Sequence, residues 1–170
     1  MGLLELNRYP LFVYTPVRRT MNSIGIRASP TKITVVVFDK DADAIVNVEA
    51  LRIPVAFETP DALKYVRSNL LDILREYEVD YAGVRVTEPN AQSMNIARIQ
   101  LEGVIQEAFA SSLLKGYYVG QISSISARLG IPRTEFTLYV DGTKTWNVEG
   151  WESLDADARE AMLCAIGAGA

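Results

Sequence analysis

The 170 residues contain no histidine and a single cysteine. Without imidazole, a Ser-His-Asp triad, a Cys-His pair and a His-ligated zinc site are all excluded. Acid–base work would fall to carboxylates, lysine or tyrosine. With Cys164 alone, no intrachain disulfide can form, which fits a reducing, cytoplasmic setting. No apolar run reaches the roughly 18–20 residues a membrane span needs. The Leu11–Tyr14 patch is too short for the core of a signal peptide. Basic excess is missing too: the formal net charge is −4. General phosphate tracking is disfavoured, and a local basic patch is the route left to nucleic acid. Internal repeats and low-complexity tracts are also absent.

What is present is a globular composition, 49% hydrophobic and 22% charged. A chain of this length supports one domain with one core. Residues 1–20 read differently, with Pro10, Pro16 and the basic pair Arg18-Arg19. They are expected to be an N-terminal extension, with Met21 a natural start for a domain over 21–170. The competing reading is an edge strand at Leu11–Tyr14, packed on the sheet or on a partner chain.

The chain is organised around residues 23–53. Ser23–Ser29 is strand-like, Pro30-Thr31 turns, Lys32–Asp39 is strongly β-branched, Lys40–Ala44 turns again, and Ile45–Ile53 is a third strand. Turns this short require antiparallel neighbours. Thr59-Pro60-Asp61 opens a helix, with Thr59 as N-cap, and an apolar face recurs from Leu63 to Tyr77. Val79–Val86 is a fourth strand, parallel to an earlier one because a helix precedes it. The spacing predicts a long helix over 91–113, with Gly103 placed for close approach to the sheet. Gly116–Ile122 is a fifth strand and Ser123–Leu129 a short helix. Phe136–Val140 alternates like a strand with a hairpin signal at Asp141-Gly142, a helix being the competing reading. Ser153 is expected to cap a last helix with a buried stripe from Leu154 to Ile166.

Three stretches carry a family resemblance. Ile24-Gly25-Ile26-Arg27 enters a small turn at Pro30-Thr31. Asp80-Tyr81-Ala82-Gly83-Val84-Arg85 ends the fourth strand. Asp155–Ile166 is an alanine-rich helix with acids at its start. In order and spacing over about 21–168, these resemble the ribonuclease H-like superfamily, and within it the Holliday-junction resolvase (RuvC-type) branch. The resemblance implies an α/β three-layer fold with a five-stranded mixed sheet, the first three strands an antiparallel meander, flanked by helices. It also implies acids on the first strand, fourth strand and last helix, gathered around two divalent metals that activate water and stabilise a leaving oxygen. Mapped onto this chain, those positions are Arg27, Arg85 and Glu160, with Asp157 one turn before Glu160.

Two guanidiniums repel a cation, so the expectation is a catalytically inactive resolvase-like domain that binds or assembles, with no cofactor and no metal. Arg27 and Arg85 would then pair with Glu160 and with Glu88 or Glu102 as an ion-pair cluster, or grip a phosphate or carboxylate as a small-anion site. The alternative is a divergent metal-dependent nuclease using Glu88, Asp157 and Glu160. Asp39, Asp41 and Asp43 form an acidic turn expected far from Arg27, and solvation explains them. Tyr117-Tyr118, Trp146 and Trp151 suit packing better than base stacking. Ser123, Ser124 and Ser126 suit capping, and Cys164 a buried small hydrophobe. The resemblance also implies a homodimer, with the helix over 91–113 as the candidate surface.

Overall fold

The computed structural model describes residues 19–170. The Leu11–Tyr14 strand and nearly all of the expected extension fall outside these residues. Along the chain run β1 (Asn22–Ser29), β2 (Lys32–Asp39), β3 (Ala44–Arg52), α1 (Thr59–Glu76), β4 (Val79–Arg85), α2 (Ile96–Ala110), β5 (Gly116–Gly120), α3 (Ile122–Leu129), α4 (Phe136–Val140) and α5 (Ala156–Gly167). The sheet order is β3-β2-β1-β4-β5. β1, β2 and β3 are an antiparallel meander, while β4 pairs parallel to β1 and β5 parallel to β4. The result is the expected five-stranded mixed sheet with helices on both faces.

Strand alternation divides the core in two. Ile24, Ile26, Val35, Val37, Ala82 and Val84 point to one face, where Val66, Leu70 and Leu74 of α1 and Leu101, Ile105 and Phe109 of α2 cover them. Val36, Phe38 and Tyr118 point to the other, under Ala161, Met162 and Ala165 of α5. On that second face Gly25 and Gly83 are register partners. A β-carbon on Gly25 would lie 1.7 Å from the Ala161 carbonyl oxygen, so only glycine lets α5 lie directly on the sheet.

Several boundaries differ from expectation, each for a local reason. Phe136–Val140 is a helix, not a strand. Phe136, Tyr139 and Val140, spaced three and four apart, pack into the α5-side core, and Asp141-Gly142 ends that helix instead of turning a hairpin. The long helix is shorter than 91–113, because Asn95 caps it by accepting the Arg98 N–H at 2.9 Å. Gly103 faces solvent with nothing within 4 Å of a built β-carbon, so it does not mediate close approach to the sheet. Asp155, not Ser153, caps α5, accepting the Ala158 N–H at 2.8 Å, while Ser153 closes a short 3-10 turn. α1 begins one residue early, with Glu58 at its N-cap and Thr59 inside the first turn.

Candidate functional site

Arg27 and Arg85 are the last register pair between the parallel strands β1 and β4. Each stands two residues after a glycine of the Gly25–Gly83 pair, and so on the same face of the sheet, toward α5. Close seating of α5 over those glycines brings Glu160 onto both arginines. Its Oε2 lies 2.7 Å from Arg27 Nε and 3.8 Å from Arg85 Nε. Neither guanidinium Nε nor that oxygen makes an aligned hydrogen bond, so charge rather than directed bonding holds the three together. Arg85 Nη2 also lies 3.2 Å from Glu88 Oε1, which accepts the Ile122 N–H at 2.9 Å where α3 starts. The remaining donors turn to the backbone, Arg27 to the Ala28 carbonyl at 3.1 Å and Arg85 to the Val86 carbonyl.

Two further pairs extend the cluster. Lys32 Nζ reaches Asp157 Oδ2 at 3.0 Å. Arg98 Nε reaches Glu102 Oε1 at 2.8 Å, one helical turn apart on α2. Glu102 also accepts the Thr87 N–H at 3.0 Å and the Thr87 hydroxyl at 2.9 Å, pinning the loop that leaves β4. Burial pushes the Arg27 guanidinium below its ordinary range; Glu160 opposes that shift, and the like charges of Arg98 and Arg85 add to it. Four bases (Arg27, Lys32, Arg85, Arg98) face four acids (Glu88, Glu102, Asp157, Glu160), so the cluster is neutral. Among the described residues, no group of three or more His, Cys, Asp or Glu is arranged to hold a metal ion.

The other sequence candidates fall elsewhere. Asp39 pairs in register with Asn22, at the opposite end of β1 from Arg27. Its Oδ1 accepts the N–H groups of Asp41 and Ala42 at 2.9 and 3.0 Å, a turn closing on itself. Tyr118 is buried and donates to the Cys164 carbonyl at 2.9 Å, and Arg128 lies 4.0 Å over its ring. Tyr117 is half exposed and packs against Phe109 with ring centroids 5.7 Å apart. Trp151 is buried beside Tyr139, and Trp146 packs on the same ring. Ser124 donates back to its own helix start, in a capping box with Gln121. Cys164 is buried, and desolvation pushes its thiol up to about 12.

Sequence reasoning missed Lys32 and Arg98 as members of the cluster. Arg98 and Glu102 carried a signal, the four-residue spacing after the Asn95 cap. Lys32 carried none, because its partner Asp157 is remote in sequence. Two hollows, of about 290 and about 420 Å³, are lined by other residues: Pro30, Val55, Phe57 and Leu101 in the first, Arg19, Leu74 and Leu113 in the second.

No protein-family model and no curated protein matches this chain. Solved structures do. The chain is similar to Thermus thermophilus RuvC at 12% identity and TM-score 0.63, over 86% of this chain and 92% of that one. It is similar to T. thermophilus RuvC in complex with a Holliday junction substrate at 12% identity and TM-score 0.66, over 86% and 91%. The yeast mitochondrial Holliday junction resolvase Ydc2 aligns at 12% identity and TM-score 0.55, over 90% and 81%. At that identity the likeness is one of fold: the chain has a resolvase-type ribonuclease H-like fold.

Proposed function

We propose that this chain is a resolvase-like ribonuclease H domain that no longer hydrolyses phosphodiesters and works as a binding or assembly module. One observation carries the reading. At the ends of β1 and β4, where the resemblance puts metal-binding acids, Arg27 and Arg85 stand together and hold the carboxylate of Glu160. Two-metal hydrolysis needs hard oxygen ligands around a pair of divalent cations. Two guanidiniums at those positions, Arg85 buried and Arg27 mostly so, repel such cations, and the acid that remains is already neutralised.

The competing nuclease reading needs Glu88, Asp157 and Glu160 free. Each is in an ion pair, with Arg85, Lys32 and the arginine pair respectively. The anion-site reading needs the guanidiniums free, and they are engaged by those same acids. Nucleic acid remains the partner class to test first, because one protein of this fold binds a Holliday junction. With a net charge of −4, such contact would use a local patch. The protein is proposed to act as a homodimer in a reducing, cytoplasmic compartment. None of the helices among the described residues is long and apolar enough to cross a membrane.

The test is a cleavage assay with Mg²⁺ or Mn²⁺ on branched, single-stranded and hybrid nucleic acids. The expected result is no turnover. Metal-dependent cleavage abolished by Glu160→Gln would overturn the reading in favour of the nuclease. Calorimetric binding of nucleotide or phosphate lost in Arg85→Ala would overturn it in favour of the anion site.

A further inference from the structure

A hollow of about 420 Å³ opens between the end of α1 and the loop from α2 to β5, a size that takes a drug-sized group. The buried Leu74 and Val79 line it, and so does Leu113, which is 99% exposed. A bare leucine bordering an apolar hollow marks a surface with a partner. Arg19, the first described residue, also lines the hollow. It is tied down there: its Nη2 lies 3.3 Å from Oδ1 of the buried Asp80, which Lys115 Nζ meets at 3.0 Å. The chain that precedes Arg19 therefore starts from this hollow. That stretch contains Leu11-Phe12-Val13-Tyr14 and Val17, an apolar run followed directly by Arg18.

We infer that residues 11–17 of this same chain fold back over the hollow and cover it, with Phe12 and Tyr14 as the groups that enter. Reach permits this. At roughly 3.3–3.6 Å per residue, Val17 extends at most about 7 Å from Arg19 and Tyr14 about 18 Å. A segment tethered this closely is held at an effective concentration on the order of millimolar, which favours it over a free partner. Charge is complementary as well: Glu78 lines the hollow and makes no ion pair among the described residues, and Arg18 stands next to the anchor. Phe12 and Tyr14 fall on one side of an extended segment, so both can face the hollow together. The other hollow, at Pro30 and Val55, lies beyond the far end of the eight-residue β1, roughly 26 Å along the strand, outside the reach of Tyr14. The apolar segment thereby belongs to the domain, and it seats on the helical side of the molecule rather than on a sheet edge. The inference is independent of the cleavage reading, and its failure leaves Arg27 and Arg85 where they are.

Thiol labelling of the full chain tests this. Cys164 is buried, so an introduced cysteine is the one that reacts. Leu113→Cys and the near-isosteric Ser111→Cys report on the hollow, which both residues line, and Val55→Cys, fully exposed at the other end of the sheet, is the control. Each is compared with the same chain carrying Phe12→Asp and Tyr14→Asp. With the natural segment, labelling at both reporters should be about tenfold slower than with the charged one, at every chain concentration, because an intramolecular cover depends on the tether alone. Labelling at Val55→Cys should not differ. Slowing at Ser111→Cys with none at Leu113→Cys still supports the proposal, since the leucine is part of the contact removed. Equal rates at Ser111→Cys in the two backgrounds overturn it. So does equal slowing at Val55→Cys, which would make the effect general. Protection that grows with chain concentration also overturns it, and assigns the hollow to the segment of another chain.

Discussion

Gly25 of β1 and Gly83 of β4 lie side by side in register, and the backbone of α5 rests on both. A β-carbon on Gly83 would fall 2.4 Å from the Tyr118 ring and 2.9 Å from the Cys164 carbonyl oxygen. The glycine pair therefore fixes the height of α5, and that height decides whether Glu160 reaches Arg27.

Gly25→Ala must push α5 off the sheet, because the atom it meets is helix backbone, which cannot rotate away. Overpacking of this kind costs about 1–3 kcal/mol, and a clash with backbone belongs at the upper end or beyond. Gly103→Ala is the contrasting control. Gly103 sits mid-helix, exposed and in open space, so alanine should stabilise by about 0.5–1 kcal/mol. Urea unfolding of both variants should show shifts of opposite sign.

Glu160→Gln keeps the shape of the side chain and removes its charge. Arg27, Arg85 and Glu160 have side chains only 14%, 7% and 17% exposed, so the change leaves two guanidiniums buried with less compensation. Breaking one partner of a buried pair costs about 3 kcal/mol or more. Denaturant titration should show that loss. In an Arg27→Leu background the same substitution should cost measurably less, since one of the two stranded charges is gone.

Arg27→Asp with Arg85→Glu reverses the charge at the ends of β1 and β4 and surrounds Glu160 and Glu88 with acids. Carboxylates packed this closely bind a hard divalent cation to relieve their repulsion. Calorimetry with Mn²⁺ should give a saturable signal in the double variant and none at this site in the parent. Adding Glu160→Gln to the double variant should weaken it.

Cys164 links the fold to alkaline pH. Burial raises its thiol from 9.0 to about 12. Below about pH 9 both folded and unfolded chains hold the proton, so the stabilisation is fully present. As pH rises from about 9 toward 12, the unfolded chain releases the proton while the folded one keeps it, and the stabilisation is progressively lost. Chemical denaturation should therefore show stability falling across that window, with a shallower fall in Cys164→Ala. Native protein at pH 8 should react with a thiol reagent only at its opening rate.

Much of the architecture was legible in the chain because it is written in local periods. The strand-like run at 23–29, the β-branched run at 33–38 and the short turns between strands define the meander. The apolar spacing from Leu63 to Tyr77 defines α1. Phe136–Val140 was misread because five residues can satisfy a period of two and a period near four at once. Packing of Phe136 and Tyr139 against the α5-side core decided between them. Gly103 was misread although the helical period carried the answer: it lies about 200° around the helix from the buried Leu101 and Ile105, and so on the solvent face.

The sequence by itself determined the order of the five sheet strands and of the helices other than Phe136–Val140, the absence of imidazole and disulfide chemistry, and the presence of arginines at two strand ends. Tertiary structure alone decided that Arg27 and Arg85 are neighbours, that Glu160 lies between them, and that Lys32, Arg98, Glu88, Glu102 and Asp157 complete a neutral cluster. Periodicity acts between residues a few positions apart. Charges act through space, and residues 27, 85 and 160 come within range only once a parallel crossover and a pair of glycines have set strand beside strand and helix upon sheet.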